Sequence, residues 1–363
     1  MLDLSEESKL TSQKARSGLN RHAKKILSFL EERKSSLSPL LILTHDYPDP
    51  DAIASAVALQ HLAQEGFAIQ SRVVYGGIIG RTENRAMVQI LRLPVHRLKP
   101  SDLKRYANVV LVDTQPEFEN NSFPKNRKAA IVIDQHPPLT KPSAELTIID
   151  EECGATCAIL ARALLLTGRV IPVRVATALA YGILSDTLNL YRAPDGHVVD
   201  TYLDLLPFCD MRALAKIQNP KRSRRFFSTL AKGIQNAMVM RGLIVSHLGQ
   251  IENPDLTAQV ADFLLTYQGA NFSFCTGRYN GRLQVSLRAA RAKMEVAPVL
   301  RDIFANRGEA GGHGGIAGGS FDVGAEDQES IWNEIEKLLT QSLCGRLRIP
   351  KRFEFVYPFR AKA

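Results

Sequence analysis

Four short apolar runs constrain this chain more than any other feature. They are Leu40-Leu41-Ile42-Leu43, Val109-Val110-Leu111-Val112, Ala130-Ile131-Val132-Ile133 and Leu146-Thr147-Ile148-Ile149, and the last three end in Asp113, Asp134 and Asp150. Near-continuous apolar strands of this length belong to parallel sheets covered on both faces. Ile69–Tyr75 alternates and adds another strand, while Ala52–Gln64 and Glu83–Leu91 read as intervening helices. Strands alternating with helices predict an α/β fold around a parallel sheet. Ligands of such sheets bind outside the carboxyl ends of the strands. That edge collects the three aspartates, His136 and the segment His45-Asp46-Tyr47-Pro48-Asp49-Pro50-Asp51. Carboxylates crowd in a water-poor crevice only when cations neutralise them. Mixed oxygen and imidazole donors suit manganese, and magnesium less well.

Pro48 and Pro50 favour an extended backbone between His45 and Asp51. Side chains two apart on such a backbone point to opposite sides, so Asp49 and Asp51 are expected to serve different metal ions. A plain helix cap is the competing reading for either aspartate. Cys153–Thr167 and Pro172–Ile183 read as strongly apolar helices, and Asp186 follows the second. A carboxylate at the end of a buried helix needs a partner, so Asp186 joins the acidic rim.

At 363 residues the chain is expected to form two domains. A net charge of +9 favours an anionic partner without separating nucleic acid from nucleotides. No apolar run is long enough to span a bilayer. The opening Met1–Lys34 is charged throughout and lacks the apolar core of a signal peptide. Five scattered cysteines fit a reducing cytoplasm. Residues 1–37 read as a basic helical extension, 38–205 as the first domain, and 206–241 as a helical linker. Residues 242–343 read as the second domain and 344–363 as a basic tail. The linker carries Lys221-Arg222-Ser223-Arg224-Arg225, either a solvated face or a guide for a polyanion. In the second domain Asn280-Gly281 between alternating runs signals a hairpin. Gly311-Gly312-His313-Gly314-Gly315-Ile316-Ala317-Gly318-Gly319 is glycine-dense, which frees backbone N–H groups to approach an anion.

Together these residues resemble a known family. His45 to Ala52, Asp113, Asp134-Gln135-His136 and Ser185-Asp186-Thr187 are similar to the four motifs of the DHH phosphoesterases. Ser286-Leu287-Arg288 and Gly311 to Gly318 resemble the substrate motifs of the attached DHHA1 domain. The resemblance implies a parallel-sheet DHH domain and a smaller α/β DHHA1 domain across a cleft. It implies two Mn2+ ions, with Mg2+ or Co2+ as substitutes. His45 and Asp49 would hold the first, Asp51 and Asp186 the second, and Asp113 would bridge them. His136 would meet the scissile phosphate or assist the leaving group. Arg288, His313 and the backbone at Gly311, Gly312, Gly314 and Gly315 would hold the substrate's phosphate end. RecJ-type exonucleases, nanoRNases acting on 3′-phosphoadenosine 5′-phosphate, dinucleotide phosphodiesterases and pyrophosphatases share these motifs. The expected substrates are short single-stranded nucleic acid or small nucleotides, with a cyclic- or linear-dinucleotide phosphodiesterase and a weakened nucleotide sensor as alternatives. No membrane partner is expected, and a homodimer stays open. One position departs from the family pattern. Gln135 stands where most members carry the middle histidine of Asp-His-His, which makes it a doubtful ligand for the second metal.

Overall fold

The computed structural model describes residues 6–191, 193, 196–291, 294–305, 307–323, 328–350 and 352–360, and the side chains of these except at 6–17 and at His313. Two compact units divide the chain, Met1–Pro220 and Lys221–Ala363.

The first unit opens with α1 (Glu6–Leu37), followed by β1 (Leu40–Thr44) and α2 (Pro50–His61). Next come β2 (Ser71–Tyr75), α3 (Thr82–Ile90), β3 (Val95–Arg97), α4 (Pro100–Arg105), β4 (Asn108–Val112), β5 (Ala129–Asp134) and β6 (Ala144–Ile149). The helices α5 (Thr156–Leu166), α6 (Val173–Asp186), α7 (Gly196–Leu205) and α8 (Met211–Gln218) complete it. The six strands pair in the order β3-β2-β1-β4-β5-β6, all parallel. From β1 the chain winds outward through β2 to β3, then returns to β4 and winds the other way. The switch point therefore lies between β1 and β4, where such sheets bind ligands. Every residue of β1 and β5 is buried, as continuous apolar strands require.

Leu19, Ala23, Ile26 and Leu30 recur at helical spacing on α1 and are buried in the same core as α2, α5 and α6. Buried residues cover α2 from Pro50 to Gln60, and its alanines allow close packing. At Gly182 of α6 a methyl group would fall 2.4 Å from Cys157 Sγ and 3.2 Å from the Asp51 Cα. Only glycine lets α6 approach the start of α2 this closely. The α5 helix starts at Thr156 rather than at Cys153, which lies in the preceding turn.

The second unit contains α9 (Arg224–Asn236), β7 (Met238–Met240), β8 (Leu243–Gln250), α10 (Asp255–Leu264), β9 (Phe272–Tyr279) and β10 (Arg282–Ala289). It continues with α11 (Ala297–Phe304), β11 (Gly308–His313), β12 (Ile316–Asp322) and α12 (Glu329–Arg346). Its sheet runs β11-β12-β10-β9-β8-β7, with β8 and β9 parallel and the other pairs antiparallel. Asn280 and Gly281 turn the β9–β10 hairpin with φ of 50° and 73°, the positive pair that a two-residue turn of this hand needs. The glycine-rich stretch forms a second hairpin, in which Gly311 pairs with Gly318 and Gly312 with Ala317. A methyl group at Gly312 would meet the Ile316 carbonyl oxygen at 2.1 Å, so close strand packing accounts for that glycine.

Candidate metal centre

The strand register sets the site. Thr44 pairs with Val112 and Val112 with Ile133, so the next residues, His45, Asp113 and Asp134, come off three adjacent strands at one level. Asp113 adopts φ 58° directly after β4, a left-handed conformation that aspartate tolerates better than most residues. Its carboxylate lies 3.6 Å from His45 Nε2 and 3.7 Å from His136 Nδ1. Asp49 Oδ1 lies 3.8 Å from the same His45 Nε2. His45, Asp49 and Asp113 present donor atoms within 4.8 Å of one another, and so do Asp113, Asp134 and His136.

The histidines are oriented by groups that can only accept a proton. His45 Nδ1–H donates to the Asp46 carbonyl at 2.8 Å, which turns Nε2 toward the carboxylates. His136 Nδ1–H donates to Asp134 Oδ1 at 2.8 Å. Gln115, fully buried, donates in turn to Asp134 Oδ2 and to the His136 carbonyl, each at 2.8 Å. Asp134 and Gln115 are thus positioning residues for His136; Asp134 was expected in the acidic rim without that part, and Gln115 was not expected. Asp134 was visible as a strand-ending aspartate; Gln115 carried no signal.

Asp49 and Asp51 part company for a different reason than expected. Asp49 is extended (φ −89°, ψ 179°) and caps α2, accepting from Ala52 N–H at 3.0 Å. Asp51 already lies within the helix. Its carboxylate accepts from the N–H groups of Thr156 at 2.7 Å and Cys157 at 2.6 Å. Those are the unpaired first donors of α5, a helix N-terminus that favours an anion. Thr156 Oγ1 also donates to Asp113 Oδ1 at 2.8 Å, so one helix start fixes two carboxylates. Cap and candidate ligand are not exclusive roles at Asp49.

Gln135 joins the remaining pair. Its Nε2 donates to Asp186 Oδ2 at 2.6 Å and to Asp51 Oδ2 at 3.3 Å. The amide therefore offers hydrogens here, where a ligand would offer oxygen. Asp150 leaves the acidic rim: its carboxylate faces His22 on α1 at 3.5 Å and accepts from Glu152 N–H.

Crowding shows in the proton affinities. Burial first, then the charges of Asp51 and Asp49, raise Asp113 well above the ordinary carboxylate range. Burial and the charges of Asp49, Asp51 and Asp113 do the same to Asp186, and burial with Asp49 lifts Asp51 to about 6. Burial would lower His45, but the hydrogen bond and charge of Asp49 and the charge of Asp113 outweigh it and bring it to about 9. His136 reaches about 10 against the pull of burial, through Asp134 and then Asp113. The raised proton affinities reflect repulsion among carboxylates that a divalent cation would neutralise, and the mixed donor set fits such an ion.

In the second unit Arg288 is buried and already engaged. Its Nε donates to Asp262 Oδ1 at 2.5 Å and one terminal nitrogen to the Ala317 carbonyl at 2.9 Å. The Gly314 N–H donates to Glu295 Oε1 at 3.0 Å. The side chain of His313 lies outside the described residues.

Residues 39–183 match the model of the DHH family, N-terminal domain. The chain carries a DHH-family N-terminal domain at these residues. An uncharacterized protein of Methanocaldococcus jannaschii is 32% identical over 318 residues, 87% of this chain and 64% of that one. A probable manganese-dependent inorganic pyrophosphatase of Streptococcus pyogenes is 29% identical over 167 residues, 45% of this chain and 53% of its own. The chain thus spans between about half and two thirds of these curated relatives. Among solved structures, an exopolyphosphatase-related protein from Bacteroides fragilis superposes with a TM-score of 0.70 over 89% of this chain and 96% of its own, at 16% identity. That likeness carries the α/β fold across both units. Among the described residues, no helix is long and apolar enough to cross a membrane.

Proposed function

We propose that this chain is a metal-dependent phosphoesterase of the two-metal kind, acting on short oligonucleotides or small nucleotides. The observation that carries the reading is the convergence of His45, Asp49 and Asp113 at the β1/β4 switch point, with Asp51, Asp186 and His136 around them. His45, Asp49 and Asp113 would hold one cation. Asp51, Asp113 and Asp186 would hold a second if the Gln135 amide withdraws. Paired divalent ions supply an activated water and charge stabilisation for both oxygens of an in-line displacement. The name of the streptococcal relative supports manganese.

The residues of this chain have separable parts in that chemistry. Protonated His136, held by Asp134, can donate a hydrogen bond to a phosphate oxygen or a proton to a leaving alkoxide. Thr156 and the start of α5 keep Asp113 and Asp51 fixed while charge on the phosphate changes. Arg288 supplies a cation for a phosphate end only by sharing its guanidinium with Asp262.

A second reading has its own observation. Gln135 Nε2 already links Asp51 and Asp186, where a second cation would lie. On that reading the chain binds one ion at His45, Asp49 and Asp113 and uses the amide in place of the other. Turnover of a generic aryl phosphodiester with added manganese tests the activity, and Asp113→Asn tests the site. Removing even a residue that merely orients a ligand costs about 10–100-fold. Asp113→Asn should therefore lose more than that while keeping the wild-type circular dichroism spectrum. Near-normal turnover in this variant would sink the metal-centre assignment.

A further inference from the structure

The second unit holds a cavity of about 520 Å3 that shares no residue with the metal centre, a size suited to a small organic ligand. It sits over a β-bulge. The β8–β9 register shifts between His247 and Gln250, and Gly249 takes φ 66° there. Bulges of this kind re-aim side chains. A methyl group at Gly249 would lie 2.7 Å from Lys232 Nζ, so the bare backbone makes room for that ammonium.

The polar groups lining the cavity are held in place, and one buried donor remains unmet. Arg278, 7% exposed, donates to Glu329 at 2.5 Å, to Asn333 at 3.0 Å and to Glu336 at 3.4 Å. Its Nε is buried and has no hydrogen-bond partner among the described residues. Thr276 gives its hydrogen to Glu336 Oε1 at 2.8 Å, so it accepts from His247 Nδ1–H, also at 2.8 Å. Thr340 gives its hydrogen to the Glu336 carbonyl, so it offers only lone pairs to His247 Nε2 at 3.4 Å. Burial disfavours a proton on His247. Its Nε2 is then an acceptor with only the long Thr340 contact among the described residues. A buried donor without a partner and an acceptor with a long one, both on lining residues, favour a ligand that answers them.

The rim adds charge and a flat wall. Lys232 and Lys337 are exposed lining residues with no ion-pair partner among the described residues, whereas both lining glutamates are paired with Arg278. Val356 pairs with Val239 through two hydrogen bonds of 2.8 and 3.0 Å. Its neighbours Phe355 and Tyr357 therefore turn to the same side, and both line the cavity.

We propose that this cavity is a second ligand site, built for an anion that carries a planar ring, the class of nucleoside monophosphates. The phosphate lies between Lys232 and Lys337, the ring lies on Tyr357 and Phe355, and the ring edge reaches His247 and Arg278. The proposal does not depend on phosphoesterase activity.

Trp332 is the single tryptophan, and its ring lies 5.3 Å from the Arg278 guanidinium, so its fluorescence reports on the cavity. The full chain is titrated in chelator with AMP, with adenosine and with inorganic phosphate, and affinities are checked by calorimetry. AMP should bind more tightly than either fragment. The double variant Lys232→Ala/Lys337→Ala should weaken AMP by about tenfold or more, as loss of charge-assisted contacts does, and leave adenosine unchanged. Tyr357→Ala, an exposed position, should weaken AMP and adenosine but not phosphate. Manganese-dependent turnover of the aryl phosphodiester should match wild type in the lysine variant, which separates this site from the metal centre. Absence of AMP binding, or AMP binding indifferent to both variants, overturns the proposal. Phosphate binding as tight as AMP overturns the assignment of a ring.

Discussion

Gln135 is one residue with two carboxylates on one nitrogen, at 2.6 and 3.3 Å. The sequence marks it as a departure from Asp-His-His, but not that its amide hydrogens face Asp51 and Asp186. Orientation of an amide depends on what surrounds it, and those surroundings come from α2 and α6, distant in sequence. Gln135→His places a nitrogen donor at the pair and should add a manganese-binding event or tighten one, seen by calorimetry; unchanged isotherms would mean that position 135 does not face the metal. Asp51 supplies a second expectation. Held at about 6 against an ordinary 3.8, it keeps in the folded metal-free chain a proton that the unfolded chain gives up. Stability from that proton is present below the lower value and is lost as pH rises through about 6. Asp113 and Asp186, raised further, extend the loss upward. Manganese removes the repulsion and needs the deprotonated ligands. The rise in melting temperature on adding manganese should therefore grow from pH 5 to pH 7, followed by scanning calorimetry. An increment that shrinks over that range would contradict the crowding of these carboxylates.

Among elements, α5 carries more of the site than any motif suggests. Its first two N–H groups hold Asp51 and its first hydroxyl holds Asp113. Backbone donors have no side-chain signature, which is why Thr156 and Cys157 read only as helix and packing. Strand ends were legible for the opposite reason: burial on both faces writes an apolar run, and a polar residue must follow it. Asp150 shows the limit of that logic, since β6 is the edge strand and its terminal aspartate turns to α1 instead. The approach of α6 to α2 is a sharper test. Gly182→Ala would drive a methyl group against Cys157 Sγ and the Asp51 Cα, at 2.4 and 3.2 Å. Overpacking of this kind costs about 1–3 kcal/mol. Because Asp186 lies one turn further along α6, manganese affinity should fall together with thermal stability. A variant that loses stability but binds manganese as wild type would show that α6 can yield without moving Asp186.

At the scale of the whole molecule, the two units meet in sequence at Pro220 and Lys221, within an irregular stretch before α9. Lys221 is exposed there, and Arg224 and Arg225 are exposed at the start of α9, so brief trypsin treatment should release two stable fragments, identified by mass spectrometry. All the candidate metal ligands fall in the first fragment, which should bind manganese as the full chain does. Rapid loss of either fragment would show that its core does not stand alone. The α/β alternation and the β9–β10 hairpin could be read from the sequence because period and turn chemistry are local. The glycine-rich hairpin could not, since glycine is compatible with both an open loop and tightly packed strands. The topology of the first sheet also governs the order in which the chain can fold. β1 lies at the centre, yet its partner β4 is made some seventy residues later, and the apolar face of α1 waits for α5. Contacts so far apart close slowly. On the ribosome, α1 and β1 emerge with their apolar surfaces uncovered until β4 and α5 follow, and that interval is when the nascent chain is most exposed to aggregation.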